Sequence, residues 1–184
     1  MTFSLSENIK YKRRPRLKTN KMDSVKIKAI VVTVSDSRRE TDDVSGVTLV
    51  GLLLEIGAEI VDKIIVSDEF EDLRNTLYSL TEREDANLIL TTGGTGFAPR
   101  DNTPEATRAV IEREAQGLAE AMRFETLKNT PMAMLSRGVC GIRGETLIIN
   151  LPGSPSGVRE CFAVIKDVLP HAVNLISGNS NHLE

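Results

Sequence analysis

Short apolar runs and longer helical patterns alternate along most of this chain. Residues 27–34, 58–66 and 87–92 are rich in aliphatic side chains, and each run ends in polar residues. A run that is apolar on both faces is typical of a strand buried in a parallel sheet. After the first run, leucines recur at helical spacing between Ser45, which we expect to cap a helix, and Gly57, which we expect to end it.

Two helices are predicted after the third strand. Thr103 and Pro104 match an N-cap followed by the first residue of a helix, which we expect to run toward Arg113. A second helical stretch covers about residues 118–126, and Pro131 then restarts the chain in a short helix or turn.

The last third of the chain predicts a hairpin and a long helix. Residues 139–142 and 145–150 flank Arg143-Gly144, an arrangement typical of an antiparallel hairpin. Residues 158–176 then follow a helical pattern that we expect to bend at Pro170. The alternation of strands and helices predicts a doubly wound α/β fold with three layers, α/β/α. Its sheet is expected to be mostly parallel, with an antiparallel edge element.

Composition narrows the class of protein. The 184 residues are 40% hydrophobic and 27% charged, which favours one soluble domain. The net charge of -3 argues against a nucleic-acid-binding surface over the whole chain. Cys140 and Cys161 have no close cysteine partners, which fits a reducing compartment and excludes a cysteine-based zinc site. No signal-peptide or membrane-spanning run is visible, so we expect a cytoplasmic protein without a membrane partner.

The chain is predicted to have three segments: a basic arm of residues 1–24, a single domain of residues 25–178, and a tail of residues 179–184. The arm is interpreted as flexible or as ordered against a neighbouring subunit. Nucleic-acid binding through residues 10–21 is the alternative, which the acidic balance of the chain disfavours.

The strongest chemical signal lies in residues 91–106. Gly93, Gly94 and Gly96 would permit positive φ angles and close approach of the backbone to an anion. No lysine of a P-loop follows, and proline stands where the dinucleotide fingerprint needs glycine or alanine. An ordinary turn between a strand and a helix is the alternative, but Asp101 beside it favours a ligand site.

Polar side chains also follow the first two predicted strands. Ser35 and Asp36 end the first strand, and Asp68 ends the second. Asp68 could form a capping box with Glu71 for a helix that starts at Glu69, or it could bind a metal ion; its position leaves both interpretations open. In an open α/β sheet, ligands bind at the carboxyl ends of the strands, where these residues and the glycine turn would meet.

Together these motifs resemble the MoaB/MogA family of molybdenum cofactor biosynthesis proteins, which includes the G domain of gephyrin and its plant counterpart. The resemblance covers about residues 26–178. It is carried by Ser35-Asp36, Asp43-Val44-Ser45-Gly46, Ser67-Asp68-Glu69, residues 91–106, Met134-Leu135-Ser136-Arg137 and Leu151-Pro152-Gly153-Ser154. Asn102 and Val47 depart from the family pattern, in place of an apolar residue and a proline, and neither is a proposed ligand.

The resemblance implies adenylyl transfer from Mg-ATP to the terminal phosphate of molybdopterin, giving adenylylated molybdopterin and pyrophosphate. It also implies a trimer or a hexamer of two trimers, with other molybdenum cofactor biosynthesis proteins as further partners. A molybdopterin-binding or scaffold protein of the same pathway, without catalysis, is the alternative.

The resemblance also assigns site residues. Asp68 and Asp101 match the two catalytic aspartates of the family and are expected to hold Mg²⁺, which needs only one or two carboxylates beside phosphate oxygens and water. The expected substrate-binding residues are Ser35, Asp36, Ser45, Gly46, Gly93, Gly94, Thr95, Gly96, Thr103, Ser136, Pro152, Gly153 and Ser154.

Overall fold

A single mixed sheet of six strands, in the order β2-β1-β3-β6-β5-β4, forms the centre of the computed structural model, which describes residues 25–178. The strands are β1 (Lys28–Val34), β2 (Glu59–Val66), β3 (Leu88–Thr92), β4 (Arg113–Glu114), β5 (Cys140–Arg143) and β6 (Thr146–Leu151). The predictions for the basic arm and the tail concern residues outside this range.

Four neighbouring strands are parallel, and β5 runs in the opposite direction to both strands beside it. β2, β1, β3 and β6 pair in parallel, whereas β5 pairs antiparallel with both β6 and β4. This confirms the mostly parallel sheet with an antiparallel edge, and Gly144 takes the positive φ of +52° in the predicted hairpin. From β1 the chain goes first to β2 on one side of it and then to β3 on the other side. The crevice at the carboxyl ends of β1 and β3 is therefore a topological switch point.

Helices cover both faces of the sheet, which confirms the three layers. The helices are α1 (Val44–Glu55), α2 (Phe70–Thr81), α3 (Thr103–Arg108), α4 (Gln116–Thr126), α5 (Pro155–Ile165) and α6 (Leu169–Ile176), with a 3₁₀ turn at Pro131–Leu135. Within the described residues, no helix has the length and apolarity needed to cross a membrane.

Two apolar cores lie on opposite faces of the sheet because successive strand residues point to opposite sides. Ala29 and Val31 pack with α1, α4, α5 and α6, whereas Ile30 and Val32 pack with α2 and α3. Burial on both faces explains why the middle of β1, residues 29–32, is apolar on both sides.

The predicted start of α1 was wrong by two residues. Asp43 is the N-cap, and its carboxylate accepts a hydrogen bond of 2.9 Å from the Gly46 N–H. The same carboxylate accepts a hydrogen bond from the Thr33 hydroxyl at 2.8 Å and pairs with the Lys63 ammonium at 2.6 Å. Because these partners come from β1 and β2, Asp43 is buried as the cap, and Ser45 lies inside the first turn.

The start and the end of α3 also differ from the prediction. Thr103 is the first helical residue rather than the cap, and its hydroxyl donates to the Gly93 carbonyl at 2.9 Å. The helix ends at Arg108 and does not reach Arg113. The reason is that Arg113 and Glu114 pair with β5 as strand β4.

The C-terminal helical pattern consists of two helices rather than one bent helix. α5 ends at Ile165, and α6 starts at Leu169 with Pro170 in its first turn. Proline is tolerated there because the first turn of a helix has no partner for its N–H. Ile165 and Leu169 are both buried, so the apolar face continues across the break.

Candidate functional site

The predicted site residues meet where the four parallel strands end. The Thr92 hydroxyl donates to the Pro152 carbonyl at 2.7 Å, and the Gly93 N–H donates to the Leu151 carbonyl at 3.2 Å. These bonds join the glycine turn after β3 to the loop after β6. A Cβ atom added at Gly153 would lie 3.3 Å from the Gly93 Cα, so the two loops pack closely.

Two glycines of the turn have backbones that favour glycine. Gly93 and Gly94 have φ angles of +107° and +61°. A Cβ at Gly93 would lie 2.4 Å from the Val34 carbonyl oxygen, and one at Gly94 would lie 2.4 Å from Thr103 Oγ1. Gly96 does not have the positive φ that the sequence predicted. A side chain there would be too close to Asp101, because a Cβ would lie 2.9 Å from one of its carboxylate oxygens.

Asp68 does not form the capping box that was one of its two interpretations from the sequence. Glu69 is the N-cap of α2 and makes no side-chain capping bond. Asp68 Oδ2 instead accepts a hydrogen bond of 2.9 Å from the Asp36 N–H, and the Asp68 N–H donates to Asp36 Oδ1 at 3.1 Å. This exchange joins the ends of β1 and β2 and leaves the Asp68 carboxylate beside the glycine turn, 3.3 Å from the Cβ position of Gly94.

Asp101 lies on the other side of the same turn. Its Oδ2 accepts a hydrogen bond of 2.8 Å from the Ala98 N–H. The next residue, Asn102, donates from its side-chain amide to the Asp68 carbonyl at 3.0 Å. The fold therefore brings the two predicted catalytic aspartates to one edge of the sheet.

The charges at this edge favour a cation. Burial raises the pKa of Asp68, and the charges of Asp36 and Asp101 raise it too, against the Asp36 N–H and the Arg100 guanidinium, which lower it. The pKa of Asp36 is lowered by its hydrogen bond from the Asp68 N–H and by Arg100. Burial and the two neighbouring carboxylates thus disfavour the ionised form of Asp68, a cost that a bound cation would relieve.

Mg²⁺ fits this donor set. Within residues 25–178, no group of three or more His, Cys, Asp or Glu side chains is arranged to hold a metal ion. A pair of carboxylates is enough for Mg²⁺, which takes its other ligands from water and substrate phosphates. Asp68 and Asp101, each with one oxygen engaged by a backbone N–H, are the carboxylates at this edge that could supply such a pair.

Several predicted binding residues also hold the loops in place. The Ser45 hydroxyl donates to the Gly153 carbonyl at 2.7 Å, so the residue predicted as a cap connects α1 to the loop after β6. Ser35 Oγ accepts from the Arg38 N–H at 3.2 Å, and Ser154 caps α5. Gly46 is buried, and a Cβ there would lie 2.2 Å from a carboxylate oxygen of Asp43.

A cavity of about 220 Å³ opens beside the glycine turn. Its walls combine apolar side chains of α4 and the 3₁₀ turn with a few polar groups, a composition common in sites for organic ligands. Five predicted residues line it, namely Thr95, Gly96, Ser136, Pro152 and Ser154.

Three arginines at the site were given no role by the sequence interpretation. Arg100 donates to Asp36 Oδ2 at 2.7 Å and to Glu69 Oε1 at 2.8 Å. Arg38 donates to the Gly153 carbonyl at 2.9 Å, and Arg137 contacts the glycine turn. In the family motifs, Arg100 directly precedes Asp101 and Arg137 directly follows Ser136. This adjacency could have indicated that both arginines belong to the site.

Comparison with known proteins agrees with the fold and the motifs. The profile of a domain family described as "Probable molybdopterin binding domain" matches residues 30–171. The chain therefore belongs to this family, the MoaB/MogA group of molybdenum cofactor biosynthesis proteins, as its motifs predict.

Individual relatives give the same assignment. The chain is 49% identical over 152 residues to the molybdenum cofactor synthesis protein cinnamon of Drosophila melanogaster, covering 81% of this chain and 25% of that protein. It is 45% identical over 115 residues to a molybdopterin adenylyltransferase of Helicobacter pylori, covering 62% of this chain and 65% of that enzyme. The matched segments thus span less than two thirds of these relatives.

Among solved structures, the molybdopterin biosynthesis enzyme MoaB of Thermus thermophilus superposes with a TM-score of 0.76 and 46% identity. The superposition covers 83% of this chain and 97% of that one.

Proposed function

We propose that this chain transfers the adenylyl group of ATP to the terminal phosphate of molybdopterin. The observation that carries the proposal is the Asp68 carboxylate, which caps no helix and is held beside the glycine turn by the Asp36 N–H. Support also comes from relatives at 45% identity that are named molybdopterin adenylyltransferases.

The reaction joins two anions. An oxygen of the terminal phosphate of molybdopterin attacks the α-phosphorus of ATP and forms a new P–O bond. The bond from the α-phosphorus to the oxygen that bridges to the β-phosphorus breaks, and pyrophosphate leaves with that electron pair. The attacking phosphate monoester is already ionised near neutral pH, so no side chain has to remove a proton.

The residues of the site have separate roles in this scheme. Asp68 and Asp101 would hold Mg²⁺, which when bound neutralises the charge that builds up on the phosphate oxygens. The backbone N–H groups of Gly94, Thr95 and Gly96 are the proposed donors to phosphate, because a glycine turn lets the main chain approach an anion closely. Both groups are set before the reaction, so little rearrangement is needed when the charge develops.

The ring systems of the substrates need a different surface. The cavity lined by Thr95, Ser136 and Pro152 is adjacent to the turn and is partly apolar. Burying a flat ring there would place its attached phosphate near Gly96, which lines the same cavity. Ser35 after β1, Ser45 in the first turn of α1 and Gly153 after β6 complete the proposed pocket.

Self-association is a further part of the proposal, as a trimer or as a hexamer of two trimers. Phe124, Met132 and Met134 are all more than 60% exposed, and an apolar area of this kind is suited to a subunit interface. Light scattering of the full chain tests this, and a monomeric mass would contradict it.

The deciding experiment measures pyrophosphate release by the purified chain with molybdopterin and Mg-ATP. Release that depends on all three components is expected. A chain that binds molybdopterin tightly but releases no pyrophosphate would instead be a binding or scaffold protein.

A further inference from the structure

Arg137 is bonded to both ends of the exposed loop that follows the glycine turn. Its Nε donates to the Gly96 carbonyl at 2.6 Å, and its Nη2 donates to the Asp101 carbonyl at 2.5 Å. Its Nη1 pairs with Glu105 in the first turn of α3. One planar guanidinium therefore fixes the positions of Gly96 and Asp101, which flank residues 97–100, relative to each other.

The backbone of Arg137 is held as well. Its N–H donates to the Thr95 carbonyl at 2.9 Å. The side chain is 33% exposed, so water covers only part of the guanidinium. Both ends of this side chain are thus fixed to the turn, although Arg137 lies far from Thr95 in the sequence, between the 3₁₀ turn and β5.

The loop between these contacts is exposed, and its residue Arg100 ties it to Asp36 and Glu69. Residues 97–100 are all exposed, and Phe97 has 67% of its surface in solvent. Asp101 Oδ2 bonds to the Ala98 N–H inside this same loop. A shift of the loop would therefore change the position of the Asp101 carboxylate relative to Asp68.

We propose that Arg137 is a positioning residue that keeps the Asp101 carboxylate facing Asp68 across the glycine turn. This inference rests on the proposed function, since it assigns Asp101 a role in adenylyl transfer. Arg137 acts through the backbone of the loop, and each of its three guanidinium nitrogens, which together carry five N–H groups, makes a bond within the protein, to Gly96, Asp101 or Glu105. It is therefore not assigned a contact with substrate.

Replacing Arg137 with lysine tests whether the loop needs the geometry of the guanidinium or only its positive charge. The lysine ammonium keeps the positive charge, but it cannot make the three fixed, coplanar donations of a guanidinium. We expect Arg137→Lys to lower kcat by about 10- to 100-fold, the usual effect of losing a group that orients a ligand residue. KM for ATP and molybdopterin should change little, because no substrate contact is removed.

Amide hydrogen exchange gives a readout that does not depend on activity. The N–H groups of Ala98, Asp101 and Thr103 are bonded within the loop or to the glycine turn. In Arg137→Lys these amides should exchange faster, while the amides of β1 and β3 keep the wild-type rate. Arg83→Lys is the matched control, since Arg83 binds Asp85 and Asp62 near the opposite ends of the strands.

The measured kcat and the amide exchange rates together support or overturn the proposal. A lower kcat with faster exchange confined to residues 98–103 supports it. Unchanged kcat and unchanged exchange would overturn it, as would faster exchange throughout the sheet, which would make Arg137 a general stabiliser of the fold. If the wild-type chain releases no pyrophosphate, the proposed function fails, and the exchange data alone then show whether Arg137 holds the loop.

Discussion

Asp36 and Asp68 exchange hydrogen bonds, each carboxylate accepting from the other residue's main-chain N–H, at 2.9 Å and 3.1 Å. They follow neighbouring parallel strands, so this exchange holds the ends of β1 and β2 together. It also explains the placement of Asp68, whose carboxylate would otherwise be free to cap α2. The proposed catalytic centre thus depends on a structural contact between two strand ends.

Removing the charge of Asp68 should abolish most of the activity. Asp68→Asn retains an oxygen that can accept from the Asp36 N–H but carries no negative charge for Mg²⁺. We expect pyrophosphate release at saturating Mg-ATP to fall at least about a hundredfold, as for other groups that stabilise developing charge. Molybdopterin binding, measured by calorimetry, should persist. The control is Asp167→Asn, a change at an exposed residue after α5. An unchanged rate of pyrophosphate release in Asp68→Asn would show that Asp68 has no role in the mechanism.

Adding one methyl group to the glycine turn should destabilise the protein. In Gly94→Ala, the Cβ would lie 2.4 Å from Thr103 Oγ1 at a φ of +61°. We expect a loss of about 2–4 kcal/mol in the free energy of unfolding, from the left-handed backbone and the steric overlap. Urea denaturation measures it.

The control for this variant is Gly51→Ala in the interior of α1, where an added Cβ meets no atom within 4 Å. That change should stabilise the helix by about 0.5–1 kcal/mol. Equal effects of the two substitutions would contradict the steric account.

Because Asp43 is buried and ion-paired, the free energy of unfolding should depend on pH in the acidic range. Burial alone would raise the pKa of Asp43, but Lys63, the Gly46 N–H and the Thr33 hydroxyl outweigh it and lower the pKa below 3.8. Because the folded pKa lies below the unfolded one, the stabilisation is complete above the unfolded value and is lost as pH falls through the folded value.

Asp43→Asn should therefore lower the free energy of unfolding near neutral pH by about 3 kcal/mol, since Lys63 loses its buried partner. The difference from wild type should shrink as the pH falls below 3.8. Denaturation curves over a pH series test this, with the exposed Asp42→Asn as control. A difference that stays constant with pH would show that the charge of Asp43 contributes nothing.

Neither thiol should react in the folded protein. Burial raises the pKa of Cys140 to about 12 and that of Cys161 to about 11, so almost no thiolate is present near neutral pH. With Ellman's reagent we expect no fast reaction in buffer and two thiols in denaturant, the number of cysteines in the chain. Rapid native labelling of Cys161, which lines the cavity beside the glycine turn, would show that this cavity opens readily.

Much of the fold follows from local patterns. The three apolar runs became β1, β2 and β3, and the hairpin at Gly144 formed where the turn residues predicted it. These elements depend on the spacing of apolar side chains and on backbone preferences of neighbouring residues, which are both written in the sequence. The glycine turn and the family motifs were visible for the same reason.

The errors occurred where partners distant in the sequence compete with local ones. Ser45 and Asp43 are both good caps, and Asp43 is the cap because Thr33 and Lys63 lie beside it. The helix after Thr103 stops early because Arg113 finds a strand partner in β5. In each case a tertiary contact outweighed a weak local preference.

The sequence by itself determined the first three strands, the hairpin at Gly144, the family, and the glycine turn with Asp101 beside it. Only the tertiary structure decided that Asp68 lies beside that turn and that Arg137 bonds to the backbone of Asp101. The physical reason is that these contacts join residues 32 to 36 positions apart, which become neighbours only when the strands are aligned in the sheet.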